Sequence, residues 1–509
     1  MSAPSDGNNL DVVVVGAGLG GEIQPRASYN LLRINHYVPG ICVAVNLQRR
    51  YPHVTFAVFE RNHRVGGTWA KNTYPGLRCD IPSELYSYSF APNPNWSSTF
   101  ASQAEILAYV EDVADQNQLT EFILLQQECL SASWKDDVCM WDVQFRNHIT
   151  GAEYAVKCRV LITSVGFLDV PRGADDISGI GNFQGAVFHS SSWDHDTDFS
   201  GKNVVVLGNG CSANQFIPWL VNSSGIAGLT QIIRSAHWIA PKVDRRVGPK
   251  EKWILSHFTW VAKAHRWLLA VKFDLAFAAF RKNRLGRFLR TWLEASLKSY
   301  MERIAPVEYH SLLIPTFPFG AKRPVLDHGY LEALKDSRVA VIRPEKVQVA
   351  GPHLLTTERG QHIPTDILIL ANGFKAQSLL TPMEIYGRNV PLFPNLFIVT
   401  GPNTLPSGHS TLLGIECTVD YILRVIRPLF SRRQGDQCRH IKVRRVPHDD
   451  YNFNLQHRLD GLIYSSDVRN WYVDERTGRN TLVWPGTQFE FWVTRSIWPV
   501  RWEDYEFAF

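Results

Sequence analysis

The chain has few of the features that mark metal, disulfide or membrane proteins. Its eight cysteines include no C-x-x-C pair, which argues against a metal site or a disulfide framework and favours reduced thiols. No uncharged apolar run reaches about 18 residues, the minimum for a membrane-spanning helix. The opening MSAPSDGNNL has neither signal-peptide nor transit-peptide character. We therefore expect a cytoplasmic protein without a bound metal.

Strong charge and internal repeats are also missing. A net charge of +5 over 509 residues is too mild to indicate a nucleic-acid partner. The most apolar segment, 253–280, is interrupted by charged residues such as Lys263 and Lys272. It predicts amphipathic helices, and we expect them to pack between domains rather than to contact a membrane. The length suits two or three domains.

A nucleotide-binding pattern opens the chain. The β-branched run Val12–Val15 leads into GAGLGG, which places Gly16, Gly18 and Gly21 in a G-x-G-x-x-G motif. Such glycines let backbone N–H groups approach a pyrophosphate at the start of a helix. The next predicted strand, 54–59, ends in Glu60, an acid placed to bond a ribose hydroxyl. This pattern predicts a site for FAD or NAD.

One segment interrupts that pattern. Residues 22–40 separate the glycine turn from the helix that should follow it, and they include Pro25 and Pro39. Without them the helix reads ICVAVNLQRR, with apolar residues at helical spacing. The segment has the length of a short intron, and its Gly-Glu and Pro-Gly ends can be encoded by splice-site sequences. We hypothesise that it is a translated, unspliced intron; the alternative is a surface insertion.

A second nucleotide-binding pattern lies downstream. The run Asn203–Leu207 precedes a fingerprint in which alanine replaces the third glycine, a change the motif tolerates. Its residues are Gly208, Asn209, Gly210, Ser212 and Ala213. The following strand ends in Arg234 and Ser235 rather than in an acid. Arginine there attracts a 2′-phosphate, so this site suits NADPH and the first one suits FAD.

These patterns predict an α/β protein with two Rossmann-like dinucleotide-binding domains, for FAD and NADPH, the second inserted in the first, plus a helical cap. Two further strands that end in glycine, 160–166 and 366–373, would each return the chain to its nucleotide domain. The expected boundaries are an FAD-binding part at 1–170, an NADP-binding part at 171–240, the cap at 241–315, a second NADP-binding part at 316–370 and a second FAD-binding and C-terminal part at 371–509.

A known family is recognisable at this point. The segment FQGAVFHSSSWD, 183–194, matches the F-x-G-x-x-x-H-x-x-x-W-[PD] signature of type I Baeyer–Villiger monooxygenases. The matching signature residues are Phe183, Gly185, His189, Trp193 and Asp194. Four other segments, 66–90, 318–334, 393–416 and 470–492, resemble the flavin-contact, active-site and fungal-type sequences of that family.

The resemblance implies roles for individual residues. It implies that the FAD site is lined by Thr68, Trp69, Asp80, Ile81 and Tyr86. It places Arg78 and Asp80 near NADP, and Lys322 beside Arg234 and Ser235 at the 2′-phosphate. It makes Arg323 the catalytic arginine, held by Asp80, and gives His189 and Trp193 a role in a linker that couples domain movement to cofactor position. Taken alone, Asp80 could instead cap a loop, His189 could be structural, Arg323 could form a surface ion pair and Arg234 could face solvent.

The chain also departs from the family pattern. Asn372 replaces the usual threonine of an A-T-G stretch, although its amide can still donate a hydrogen bond. Thr163-Ser164-Val165-Gly166 is also atypical.

The implied reaction is an NADPH- and O₂-dependent Baeyer–Villiger oxidation through a flavin C4a-peroxide, which inserts oxygen beside a ketone carbonyl to give an ester or lactone. The fungal-type segments imply a bulky, apolar ketone of secondary metabolism. Two alternatives stay open: oxidation of a nitrogen or sulfur atom or an oxidative rearrangement, and an inactive polypeptide whose flavin-binding helix is interrupted.

Overall fold

The computed structural model describes residues 9–16, 39–377, 380, 383–386, 393–406, 408–431 and 438–509. The predicted cofactor-binding residues Gly18 and Gly21 lie outside the described residues. Of the hypothesised insertion, only Pro39 and Gly40 are described.

Twenty strands are assigned within these ranges. They are β1 (Leu10–Val15), β2 (Phe56–Phe59), β3 (Ile123–Leu124), β4 (Gln127–Lys135), β5 (Met140–Asn147), β6 (Glu153–Thr163), β7 (Ala186–His189), β8 (Asn203–Leu207), β9 (Gly228–Ile232), β10 (Ile239–Pro241), β11 (Val325–Asp327), β12 (Val339–Ile342), β13 (Val347–Gly351), β14 (Leu354–Thr357), β15 (His362–Pro364), β16 (Ile367–Leu370), β17 (Glu384–Tyr386), β18 (Leu396–Ile398), β19 (His440–Val443) and β20 (Tyr505–Ala508).

Twelve α-helices are assigned in the same part of the chain. They are α1 (Pro39–Arg50), α2 (Thr68–Lys71), α3 (Gln103–Gln116), α4 (Cys211–Ser223), α5 (Pro249–His257), α6 (Thr259–Ala276), α7 (Arg284–Ile304), α8 (His310–Leu313), α9 (Tyr330–Ala333), α10 (Thr411–Val425), α11 (Arg445–Asp460) and α12 (Gln488–Trp492). Short 3₁₀ turns lie at Leu119–Phe122, Ile180–Asn182, Ser190–Ser192, Phe277–Phe280, Val307–Tyr309, Arg427–Phe430 and Trp502–Asp504, and a π turn at Val493–Ile497.

The larger sheet has the strand order β17-β4-β5-β6-β1-β2-β3, and β18 also pairs with β6. Its central strand β1 is parallel to both neighbours, with Val15 opposite Phe59 of β2 and Thr163 of β6. Val12, Val13 and Val14 of β1 have no exposed surface, as expected for a strand covered on both faces. The carboxyl ends of β1, β2 and β6 therefore meet at one edge, where an α/β sheet binds its ligand.

Helix α1 covers this sheet. Its residues Ile41 to Val45 and Leu47 are buried, in one core with α10. The sequence predicts a helix at 41–50, and the structure begins it two residues earlier, at Pro39. Proline is tolerated in the first turn because the N–H groups there have no intrahelical partner. Pro39 therefore opens the helix instead of breaking it.

The second sheet is parallel throughout, with the order β12-β9-β8-β16-β7. Its strand β8 matches the predicted strand at Asn203–Leu207, and α4 follows directly after the second glycine turn. Part of the signature segment, Ala186–His189, forms the edge strand β7, paired with β16. The segment is therefore built into this sheet and is not only a connecting linker.

Two properties of the described residues bear on the sequence expectations. Every helix assigned there is too short or too polar to cross a bilayer. In the same residues, no three His, Cys, Asp or Glu side chains converge in a way that could hold a metal ion.

Candidate active site

The first glycine turn has the close backbone packing that its motif predicts. Gly16 follows β1 with a φ of 86°, in the left-handed region that favours glycine. A Cβ atom on Gly16 would lie 2.4 Å from Cγ1 of Val165, which follows β6. A larger residue could not occupy this position without moving the neighbouring strand end. The ends of β1 and β6 therefore pack closely at this edge of the larger sheet, as the motif requires.

Glu60 lies at the same edge, directly after β2, and is fully buried. Its Oε1 atom accepts a hydrogen bond of 2.5 Å from the backbone N–H of Asn62. Its Oε2 atom has no hydrogen-bond partner among the described residues. Burial, the largest influence, raises the pKa of this carboxyl group well above its usual range. A buried acceptor without a donor fits a ribose hydroxyl, so the residues at this edge fit the dinucleotide half of FAD.

The second glycine turn is equally constrained. Gly208 has a φ of 116°, and a Cβ there would lie 2.3 Å from the carbonyl oxygen of Ala371, after β16. Gly210 precedes α4, and Ala213 is fully buried in its first turn. The Asn209 side chain donates a hydrogen bond of 3.0 Å to the backbone carbonyl of Ser235, which fixes the loop after β9.

Cations gather around that loop. Lys322 donates a 2.5 Å hydrogen bond from Nζ to Oγ of Ser235. Burial, followed by the positive charges of Arg234, Arg343 and Arg469, lowers the pKa of Lys322 from 10.5 to about 8. Arg234 itself is exposed, as its alternative interpretation allowed. The structure thus brings Lys322, Ser235 and Arg234 together, as the resemblance implied.

Arg343 and Arg469 were missed from the sequence. Arg343 follows β12 and Arg469 lies near the C-terminal end of the chain. No spacing rule connects either residue to the second glycine motif. The basic character of 2′-phosphate sites alone does not single them out among 53 Lys and Arg residues.

Asp80 and Arg323 form an ion pair, with 3.5 Å between Oδ2 and Nη2. The Asp80 carboxylate also accepts a hydrogen bond of 3.3 Å from the side-chain amide of Gln215 in α4. Burial raises the pKa of Asp80, but hydrogen bonding to His328 and the charge of Arg323 outweigh it, so the pKa is lower than usual. Asp80 is therefore a carboxylate that holds the guanidinium in place.

The Arg323 guanidinium combines a fixed position with access to solvent. Its side chain is 43% exposed while that of Asp80 is 17% exposed, so part of the guanidinium stays free to meet a ligand. Partial burial opposes its charge, but the neighbouring Cys211 and Asp80 raise the pKa of Arg323 above its ordinary value. The group is a permanent cation with unused donors.

His328 completes this cluster and was missed from the sequence. Its Nε2 atom lies 3.6 Å from Oδ1 of Asp80, and its Nδ1 atom lies 3.2 Å from Nζ of Lys242. The side-chain amide nitrogen of Gln215 also lies 3.3 Å from Nε2, so the ring is packed between the lysine, this amide and the Asp80 carboxylate. His328 stands within the segment 318–334 that resembles the family, but no sequence spacing links it to Asp80.

The flavin-contact segment joins the two turns. It begins shortly after Glu60, and Tyr74 of this segment donates a hydrogen bond of 3.0 Å to the side-chain oxygen of Gln215 in α4. The Gln215 amide in turn donates to the backbone carbonyl of Arg78 at 3.0 Å. A Cβ on Gly76 would lie 2.5 Å from the carbonyl of Gln215. The segment thus packs directly on the helix that follows the second turn.

The remaining predicted residues of this segment have structural contacts of their own. Trp69 is buried and donates from Nε1 to the Tyr86 hydroxyl at 2.8 Å, and Thr68 begins α2 beside it. Ile81 packs against the core that contains α1. The Arg78 guanidinium donates to the carbonyl of Phe100 at 3.2 Å. In α4, Ser212 hydrogen-bonds to the Tyr74 hydroxyl.

The histidine of the signature segment is tied to the strand that leaves the second sheet. His189 Nδ1 accepts a hydrogen bond of 3.0 Å from the Ser191 backbone N–H, so Nε2 carries the hydrogen and donates to the carbonyl of Gly373 at 3.2 Å. Burial lowers the pKa of His189 to about 4. Nearby, the Asn372 side-chain amide donates a hydrogen bond of 2.9 Å to the Gly173 carbonyl. Asn372 therefore still acts as a hydrogen-bond donor, although the family usually has threonine at this position.

The other signature residues pack or turn the chain. Trp193 is buried in the core against the second sheet, and the centre of its ring lies 5.1 Å from that of Phe216 in α4. A Cβ on Gly185 would lie 2.4 Å from the carbonyl of Asp366. Phe183 is partly buried and packs against a hydrophobic cluster on one face of the second sheet. Asp194 accepts a hydrogen bond of 2.7 Å from the Thr197 hydroxyl.

Comparison with known proteins identifies the family. Residues 54–296 match the flavin-binding monooxygenase-like family model. Over 477 residues the chain is 32% identical to a Baeyer–Villiger monooxygenase of Streptomyces coelicolor, covering 89% of this chain and 88% of that protein. The chain belongs to the Baeyer–Villiger monooxygenase family. A second Baeyer–Villiger monooxygenase, from Pseudomonas aeruginosa, is 30% identical over 472 residues and covers 89% of this chain and 86% of that protein.

Solved structures agree on the fold. A steroid monooxygenase bound to NADP is 26% identical, with a TM-score of 0.77 over 98% of this chain and 99% of that one. The cyclohexanone monooxygenase of Rhodococcus sp. Phi1 has a TM-score of 0.79 at 21% identity, over the same shares of the two chains. The predicted fold, with two dinucleotide-binding domains, is thereby confirmed. As a family member, the chain is an FAD-dependent NADPH monooxygenase that uses O₂.

Proposed function

We propose that this monooxygenase inserts one oxygen atom beside the carbonyl of a bulky, apolar ketone and releases an ester or lactone, as part of secondary metabolism. The observation that carries the proposal is the Asp80–Arg323 ion pair, placed where the flavin-contact segment meets the helix after the second glycine turn. The bound flavin would supply the reductive activation of O₂. The residues of the chain supply position and charge.

Arg323 would act on the carbonyl oxygen of the ketone. Addition to a carbonyl places negative charge on that oxygen, and a fixed donor aimed at it stabilises the transition state. An arginine suits this role because its guanidinium keeps its proton. Asp80, with His328 and Gln215 behind it, would hold the guanidinium in one orientation. Removing one such donor typically lowers the rate by about 10²–10³-fold.

The cofactor residues have separate roles in the proposal. Glu60 would accept a hydrogen bond from the FAD ribose through its unpartnered Oε2 atom. Lys322, Ser235 and Arg234 would hold the 2′-phosphate of NADPH. His189, which is hydrogen-bonded to Gly373 shortly after β16, would link movement of the second sheet to the cofactor cleft.

The product decides this proposal. Purified enzyme containing FAD is incubated with NADPH, ¹⁸O₂, a panel of cyclic and linear ketones and one thioether, and the products are identified by mass spectrometry. We expect an ester or lactone that carries one ¹⁸O atom. A panel that yields only the sulfoxide would contradict the proposal and favour the heteroatom-oxidising alternative.

A second test isolates Arg323. The variant R323A should still oxidise NADPH but should form ester about 10²–10³-fold more slowly than the parent enzyme. The control is R359A, because the Arg359 side chain is 85% exposed and lies in a surface turn. Ester formation by R323A at the parental rate would refute the role given to Arg323.

One observation favours a second candidate, an inactive polypeptide. Helix α1, whose first turn should face the flavin pyrophosphate, begins at Pro39, 23 positions after Gly16 in the sequence. If the segment between them prevents FAD binding, the purified chain will be colourless. Deletion of residues 22–40 should then restore the flavin absorption band.

A further inference from the structure

Helix α6 carries an apolar stripe on its outer side. Trp260, Leu268 and Leu275 are 70%, 69% and 71% exposed, and Trp267 and Val271 are about half exposed. These five residues, here called the α6 stripe, recur at helical spacing and so share one face. The sequence predicts that the apolar residues of this region pack between domains. In the structure the stripe faces solvent.

Two charged residues of α6 that lie outside the stripe contact the rest of the protein. Arg266 lies 3.8 Å from the buried Glu416 of α10. Asp274 accepts a hydrogen bond of 2.8 Å from the backbone N–H of Gln488 and lies 3.4 Å from the ring of His409. The helix is therefore held by these charged contacts and by inward packing of Ala270 and Phe273, while the α6 stripe stays exposed. The exposed apolar stripe is therefore additional to the apolar surface that α6 buries.

The apolar surface extends beyond α6. In α5, Trp253 is 55% exposed, and Phe258 between the two helices is 43% exposed. On the C-terminal side, the Trp267 ring contacts that of Trp492, which contacts Phe489, itself 56% exposed. Aromatic residues thus border the stripe on two sides. An exposed apolar surface of this extent marks an interaction site.

The charges around the stripe identify its partner. Helical geometry places the exposed Lys263 and Lys272 on the two edges of the stripe. From Pro249 to Arg303 the chain has twelve Lys and Arg residues against four Asp and Glu, although the whole chain has a net charge of only +5. A second copy of the chain would bring this basic surface against itself, which costs energy. An anionic surface that also accepts apolar side chains is a lipid bilayer.

We propose that α5 and α6 lie on the surface of an anionic membrane. The α6 stripe enters the boundary between headgroups and acyl chains, where tryptophan is favoured, and Lys263 and Lys272 contact lipid phosphates. The contact is peripheral, since no helix among the described residues is fit to span a bilayer. It would place the enzyme where apolar molecules accumulate.

Vesicle sedimentation tests the proposal without any turnover, so its result is independent of the proposed reaction. The purified full-length protein is mixed with vesicles of phosphatidylcholine alone or with phosphatidylserine at a 70:30 ratio. We expect binding to the mixed vesicles, weaker binding to phosphatidylcholine, and release at high salt.

Two variants locate the contact. K263Q/K272Q should bind mixed vesicles about 25-fold more weakly, since each lysine near such a surface contributes about fivefold. W260S/L268S should weaken binding at least about tenfold on both vesicle types. The control is I149S, because Ile149 is 71% exposed in the hairpin between β5 and β6 and does not belong to the α6 stripe. All three changes are at exposed residues and should leave the thermal unfolding midpoint nearly unchanged.

Three results would overturn the proposal. The first is no binding of the parent protein to mixed vesicles. The second is binding that the α6 variants and I149S alter equally. The third is a dimer in sedimentation velocity that W260S/L268S dissociates, without vesicle binding, which would make the stripe a contact between copies of the chain.

Discussion

The cation cluster around Ser235 predicts a pH-dependent preference for NADPH over NADH. Lys322 has a pKa of about 8 in place of 10.5, because it is partly buried and faces Arg234, Arg343 and Arg469. A shift of this size corresponds to about 3 kcal/mol of unfavourable energy for the lysine charge. A 2′-phosphate placed among the four cations would offset that energy, while the 2′-hydroxyl of NADH would not.

The sign of the pH effect follows from the direction of the shift. Lys322 is charged below about pH 8 and loses its proton above it. We therefore expect kcat/KM for NADPH to fall about tenfold between pH 7 and pH 9, and kcat/KM for NADH to stay nearly constant. K322M should lower kcat/KM for NADPH at pH 7 by about 10–150-fold, the value of a hydrogen bond to a charged group. K322R should keep the activity and lose the pH dependence.

The assay is steady-state NADPH and NADH oxidation by the parent enzyme, K322M, K322R and the control K346M, which changes an exposed lysine after β12. Loss of the same factor with both cofactors in K322M would contradict a contact between Lys322 and the 2′-phosphate. A decline above pH 8 that persists in K322R would contradict the titration of Lys322 as its cause, because an arginine stays charged there.

Three further predictions follow from single residues or segments. The pKa of His189 is about 4 in the folded protein, whereas that of an unfolded histidine is about 6.5. The neutral His189 ring therefore contributes to stability above pH 6.5, and this contribution is lost as the pH falls to 4. Denaturant unfolding of H189Q should show a smaller loss of stability over this range than the parent, by up to about 3 kcal/mol; equal losses would contradict it. E60Q should weaken FAD binding about 2–12-fold by disturbing one hydrogen bond to the ribose, measured by flavin release, and an unchanged affinity would argue against the ribose contact. Deletion of residues 22–40 should raise the flavin content per polypeptide, measured at 450 nm; a colourless deletion variant would refute the intron hypothesis.

The fold was predictable where local pattern and tertiary role agree. The buried strands β1 and β8 and the glycine turns after them could be read from β-branched runs followed by glycine, because buried parallel strands need that composition. The start of α1 was wrong by two residues, since first-turn proline looks like a helix breaker in sequence. The strand β7 was not predicted, because its short edge sequence is dominated by the signature motif.

The site was predictable only in part, for a different reason. Asp80 and Arg323 were found through family resemblance, and their pairing depends on contact between α4 and the flavin-contact segment. His328, Lys242 and Gln215 were missed because tertiary packing alone brings them to Asp80. The outward apolar side of α6 was also missed, since an amphipathic pattern does not tell which side faces the protein.

The most direct test of the account is a crystal structure of the protein with FAD and NADP⁺ bound. The account predicts that Glu60 Oε2 accepts from the FAD ribose, that Lys322 contacts the 2′-phosphate, and that the Arg323 guanidinium, still paired with Asp80, faces the cleft between flavin and nicotinamide. Cofactors bound on separate surfaces, or Arg323 turned away from the cleft, would contradict it.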